Sequence, residues 1–124
     1  MRLLLVDDDA GFRKTLRRLL AQRDEAVILG EAGDGEEALR LAGALHPDVV
    51  PMDLGLPRMN GVEATRRLKA AWLDLAAITI TVHDDEAYRR TALAAGAEAL
   101  RVKKTLGVDP WPTLRRLVRR GEAA

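Results

Sequence analysis

No cysteine occurs among the 124 residues, which excludes disulfide staples and thiolate metal sites and leaves the compartment unmarked by redox chemistry. Serine is absent as well, Asn60 and Gln22 are the only side-chain amides, and aromatic residues make up just 3% of the chain. Neither sign of charge dominates: 20 basic against 19 acidic residues give a net +1, which argues against a general polyanion binder and makes any charge-driven function local. No apolar run approaches the roughly 20 residues of a membrane span. The chain passes from Met1-Arg2 into a short apolar run and then Asp7; this does not read as a signal peptide, so no membrane role and a cytoplasmic location are expected. What is abundant is apolar material, 48% of the residues, enough for one core in one domain spanning 1–124 with no linker or repeat.

Strand-length apolar runs alternate with segments of helical period. Leu3 to Val6 is continuous and apolar, as for a strand buried on both faces. A helix follows, with Phe12, Leu16, Leu19 and Leu20 on one stripe and Arg13, Lys14, Arg17 and Arg18 on the wet side, and Asp9 can cap it. Ala26 to Gly30 reads as a second strand, and Gly33-Asp34-Gly35 as a turn into a helix carrying Ala38, Leu41, Ala42 and Leu45. His46-Pro47 ends that helix, because a residue before proline is pushed out of the helical region. Val49 to Asp53 is the third strand, Pro57 to Gly61 a loop, and Val62, Thr65 and Leu68 mark a third helix. Ala77 to Val82, Asp85 to Ala95, Ala99 to Val102 and Pro112 to Arg120 complete the pattern as strand, helix, strand, helix. Five β–α units in this length predict a parallel sheet with helices on both faces.

Polar stations stand where these runs end: Asp7-Asp8 after the first, Asp53 closing the third, Thr81 near the end of the fourth and Lys103 after the fifth. In open α/β sheets the functional crevice lies outside the carboxyl ends of the strands, so these five residues should converge. Massed carboxylates repel one another unless a cation neutralises them, which points to a divalent metal. A plainer reading makes Asp7 to Asp9 helix caps, Asp53 a turn residue and Lys103 a solvated loop residue; it needs separate coincidences at each strand end.

The residues that carry these stations resemble a known family. Leu4-Leu5-Val6-Asp7-Asp8-Asp9, Pro47-Asp48-Val49-Val50-Pro51-Met52-Asp53-Leu54-Gly55-Leu56-Pro57-Arg58-Met59-Asn60-Gly61, Thr81-Val82-His83-Asp84-Asp85, and Ala95-Gly96-Ala97 leading to Lys103 are similar to the receiver domains of two-component response regulators. The likeness covers essentially the whole chain, and Thr81 to Glu86 is nearest to receivers of the NarL type, where a DNA-binding domain follows; here no output domain is expected. The resemblance implies a flavodoxin-like (CheY-like) doubly wound sheet in the order 2-1-3-4-5. It further implies Asp53 as phosphoacceptor, Mg²⁺ held by Asp8 and Asp53 with the Gly55 carbonyl and, through water, Asp7, and a phosphoryl group contacted by Thr81 and Lys103. A histidine kinase or phosphotransfer protein is the implied partner, with homodimerisation left open. The output face would be helix four, strand five and helix five, and the chain would be no enzyme beyond phosphotransfer to, and hydrolysis of, its own aspartyl phosphate.

Several positions depart from the family pattern. Pro51 sits in a central strand two residues before Asp53 and lacks a ladder donor, which predicts a local irregularity with an effect on where Asp53 lies. Leu100 takes the place of the switching Tyr or Phe three residues before the lysine, Val82 follows Thr81 where a smaller residue is common, and Lys104 replaces a frequent proline. Pro51 and Leu100 motivate the alternative of a pseudo-receiver that binds partners regardless of phosphorylation. Tyr88 falls on helix four, His83 near the crevice rim, His46 in a turn, and Trp111 at the entry to the last helix, whose Arg115, Arg116, Arg119 and Arg120 read as a solvated face rather than a nucleic-acid site. A haloacid-dehalogenase-type phosphatase would want an aspartate where Gly55 stands, and a flavodoxin-type phosphate cradle is incompatible with Asp7-Asp8-Asp9.

Overall fold

The structure, a computed structural model of the chain, describes residues 1–82, 85–103 and 116. Strands and helices alternate as β1 (Arg2–Val6), α1 (Ala10–Leu20), β2 (Val27–Ala32), α2 (Gly35–Leu45), β3 (Val49–Asp53), α3 (Gly61–Ala71), β4 (Ala76–Thr81), α4 (Glu86–Ala94) and β5 (Ala99–Val102). All neighbouring strands are parallel and the order is β2-β1-β3-β4-β5, as expected. The last helix, Trp111, His83 and Lys104 lie outside the described residues; of the C-terminal arginines only Arg116 is described, and it is exposed.

The continuous apolar runs are explained by layers on both faces of the sheet. Leu4, Val6, Val50 and Met52 pack with Ala38, Ala42, Ala64 and Leu68 of α2 and α3. Leu3, Leu5, Val49, Ile78 and Ile80 pack with Leu16 and Leu20 of α1. Leu100 and Val102 close on Ala92 and Ala97 in a smaller cluster under α4. Each of α1 to α4 starts on a side chain that accepts the N–H three residues on: Asp9 from Phe12, Asp34 from Glu37, Asn60 from Glu63 and Asp85 from Tyr88.

Some boundaries differ from the expectation. β2 runs to Ala32 rather than Gly30, because the register slips by one residue between Leu3, opposite Ile28, and Leu4, opposite Gly30, and pairing then continues to Val6↔Ala32. β4 spans Ala76–Thr81, leaving Val82 outside the strand and 67% exposed. His46 leaves the helical region ahead of Pro47, as expected. It adopts the left-handed conformation (φ 52°) that caps α2, and the Arg2 guanidinium satisfies the Leu45 and His46 carbonyls at 2.9 and 3.0 Å.

The irregularity expected at Pro51 is confined to one side. Toward β4 the pairing is unbroken from Val49↔Ala76 through Pro51↔Ile78 to Asp53↔Ile80. Toward β1 it falls at Leu3↔Val49 and Val6↔Met52 in constant register, bracketing the proline. A residue without an N–H leaves such a gap in a ladder while the strand keeps its course. Beyond β3, the N-terminus of α3 comes so close to the strand end that a Cβ on Gly61 would lie 2.0 Å from the Asp53 carbonyl oxygen. Only glycine fits there, and the Gly61 N–H closes the loop onto the Leu54 carbonyl at 2.9 Å.

Candidate functional site at the carboxyl edge of the sheet

β1 and β3 are neighbours at the point where the strand order reverses, so their last residues share one crevice. Asp7, Asp8 and Asp53 offer carboxylate oxygens that all lie within 4.8 Å of one another. Asp7 is buried, Asp8 exposed, and Asp53 nearly buried. Such a set of hard oxygen donors suits a hard divalent cation.

Lys103, just past β5, supplies the positive charge. Its Nζ is 2.7 Å from Asp7 Oδ2 and 3.7 Å from Asp53 Oδ2, and it lies over the Phe12 ring, 4.4 Å from the centroid. Burial pushes the Asp53 carboxyl above the usual carboxylate range. The Asp7 charge adds to that shift and, to a smaller extent, Asp8 does too, against the pull of the Lys103 ammonium and of the hydrogen bond donated by the Gly55 backbone N–H. Asp53 is thus a carboxylate held under electrostatic tension, relieved by any cation that enters.

The remaining residues of the expected set fall around this centre. Thr81 ends β4 one residue beyond Ile80, the register partner of Asp53, and is buried. Gly55 is exposed in the loop after β3, and a Cβ on it would sit 4.0 Å from Asp53 Oδ2. Leu100, opposite Thr79 on β5, is buried against Ala92, Ala97 and Val102.

Sequence reasoning overlooked two contributors. Arg13, expected on the wet side of α1, has a side chain more than three-quarters covered; its Nη1 donates to the Asp7 carbonyl, and its Nε pairs with Glu31 at 3.0 Å. Glu31 also takes Arg17 at 2.6 Å, so the acidic turn is tied to β2. Phe12, expected merely as core, presents its ring to Lys103. Both follow Asp9 by three or four residues, a spacing that is a usable signal, since the first turn of α1 has to face the crevice it leaves. Asp34 belongs to the same rim: its carboxylate takes the Glu37 N–H at 2.8 Å and Arg58, on the loop after Asp53, at 2.6 Å.

A doubly wound sheet ordered 2-1-3-4-5, with an acidic, lysine-closed crevice at its switch point, defines the receiver class of signalling domains. Residues 3–108 match the response regulator receiver domain, and the chain belongs to that family. It is 36% identical to the transcriptional regulatory protein DegU of Brevibacillus brevis over 104 residues, covering 84% of this chain and 44% of that protein. It is 38% identical to the response regulator GacA of Pseudomonas viridiflava, covering 83% and 48%. The chain therefore spans about half the length of these curated relatives. Among solved structures, the signal receiver domain of a NarL response regulator from Mycobacterium tuberculosis superposes with a TM-score of 0.89 at 28% identity, covering 95% of both chains. A LuxR-family two-component response regulator from Aurantimonas does so at 0.84 and 33%, covering 98% of this chain and 85% of the other.

Proposed function

We propose that this receiver domain, spanning residues 1–124, accepts a phosphoryl group on Asp53. The observation that carries the reading is the position of the Asp53 carboxylate, between two further aspartates and a lysine at the end of a central strand. An Asp53 carboxylate oxygen attacks the phosphorus of a phosphohistidine, on a histidine kinase or phosphotransfer protein, or of a small acyl phosphate. The new O–P bond forms as the donor's P–N or P–O bond breaks, and the leaving group departs with the electron pair. Such transfer depends on positioning and charge neutralisation more than on proton chemistry, which suits a site with no general base among its described residues.

Asp8 and Asp53 with the Gly55 carbonyl would hold Mg²⁺ directly, and Asp7 through water. Bound there, the ion would offset the carboxylate charge and polarise the phosphoryl oxygens. Lys103 gives the second positive contact, and the Thr81 hydroxyl donates to a phosphoryl oxygen. Phosphorylation then shifts a pre-existing equilibrium of the face formed by α4, β5 and the segment after it. Leu100 cannot swing a polar edge in and out as tyrosine does, so this shift runs through backbone and packing around Thr81 and the Ala92–Leu100 cluster. Turnover is confined to the domain's own acyl phosphate.

Intact-mass measurement after incubation with acetyl phosphate and Mg²⁺ tests the reading. One added phosphoryl group is expected on the wild type and none on Asp53→Ala. An unmodified wild type, under conditions that label a control receiver, overturns it and leaves a binding module that acts without phosphorylation.

A further inference from the structure

We propose that Phe12 is a positioning residue for Lys103, its ring holding the ammonium beside Asp53 whether or not the neighbouring carboxylates are neutralised. The inference rests on Asp53 being the acceptor.

The lysine side chain is a flexible four-carbon stem ending in a compact point charge, and nothing in the stem itself fixes where that charge sits. Among the described residues, Coulomb attraction draws it toward Asp7 at 2.7 Å more than toward Asp53 at 3.7 Å. Asp7 is the less useful partner, because a phosphoryl group arrives on Asp53. A cation taken up by the aspartates would weaken both attractions together. The contact that does not depend on their charge is the Phe12 ring face, 4.4 Å from the ammonium, within the range where the ring quadrupole attracts a cation.

Phe12 is itself firmly placed. Its backbone N–H donates to Asp9 in the cap of α1, and the next residue, Arg13, bonds the Asp7 carbonyl and Glu31. Between the ring, Leu16, Pro51 and Ile80 there is a cavity of only ≈10 Å³, borderline room for a single water, so the ring has little space to sink toward the sheet and away from the ammonium. The same turn that delivers Asp7 and Asp8 to the crevice therefore delivers a seat for the lysine.

Phe12→Leu keeps an apolar side chain and removes the ring face; Phe12→Tyr keeps the face. With acetyl phosphate and Mg²⁺, Phe12→Leu is expected to slow labelling of Asp53 about three- to tenfold, the effect of losing a partly desolvated cation–π contact. Phe12→Tyr restores the rate, and the Mg²⁺ concentration giving half-maximal rate stays the same in both. In a Lys103→Ala background the Phe12→Leu change adds nothing further. A second readout needs no phosphotransfer: the side-chain methylene protons of Lys103 next to the ammonium carry an upfield ring-current shift in NMR spectra. It disappears in Phe12→Leu and persists on adding Mg²⁺ with beryllofluoride.

Equal rates for the Leu and Tyr variants overturn the proposal. A Phe12→Leu defect that survives in Lys103→Ala also overturns it, since Phe12 then acts by packing alone. So does a ring-current shift that is absent or that vanishes on loading. If the wild type takes no label at all, the Asp53 reading fails, while the NMR shift still decides whether the ring seats the lysine.

Discussion

Asp34 shows how a single side chain outside the acidic cluster can matter to it. The Glu37 N–H, first, and the Arg58 guanidinium hold its carboxyl below the usual carboxylate range. A group whose pKa is lower folded than unfolded adds stability above its unfolded value, and that contribution fades as pH falls through the folded value. Asp34→Ala should therefore lower the urea midpoint at pH 7, with a difference from wild type that shrinks as pH is brought down through and below the ordinary carboxylate range. A gap that stays constant with pH would show that the ion pair and cap charge contribute nothing. Arg58 reaches Asp34 from a left-handed backbone position (φ 64°) in the loop that follows Asp53, so the variant also loosens the loop beside the site. Asp53 has the opposite sign: its raised pKa makes the ionised form a cost to the metal-free fold.

At the level of elements, the sheet shows how much irregularity the strand that ends in Asp53 tolerates. Pro51 interrupts pairing toward β1 only, and Asp53 still meets Asp7 and Asp8. Pro51→Val supplies a donor where the ladder lacks one. The backbone amide gained there should fall among the slowly exchanging protons of the sheet, and the gain should be up to about 1 kcal/mol, the net worth of one hydrogen bond less the proline's restriction of the unfolded chain. Rapid exchange of that new amide in the variant would mean that the gap has another cause. Elsewhere in the sheet the elements are tied at their opposite end by Glu98, which accepts the Ala77 N–H at 2.7 Å and pairs with Lys69 from α3.

On the scale of the whole molecule, cation binding and folding should be linked, because the acidic cluster assembles from β1 and β3 only in the native state. Anything that binds the folded chain alone stabilises it, by about 2.7 kcal/mol at a hundredfold excess over its dissociation constant. Mg²⁺ should raise the melting temperature of the wild type, chelation should reverse the rise, and Asp8→Ala should blunt it. A melting temperature indifferent to Mg²⁺ would count against these carboxylates as the ligands. Much of this architecture was legible in the sequence. The apolar runs specified the alternation of strands and helices, and the polar residues at their ends marked Asp7, Asp8, Asp53, Thr81 and Lys103, because a buried parallel strand has one exit and the chain must turn polar there. Local pattern could not show on which side Pro51 breaks the ladder, that Arg13 turns inward to the Asp7 carbonyl, or that Lys103 rests on Phe12. Those facts depend on strand order, register and the facing of α1, which are set by contacts between residues far apart in the chain. The sequence by itself determined which groups arrive at the carboxyl edge; the tertiary structure alone decided which of them touch.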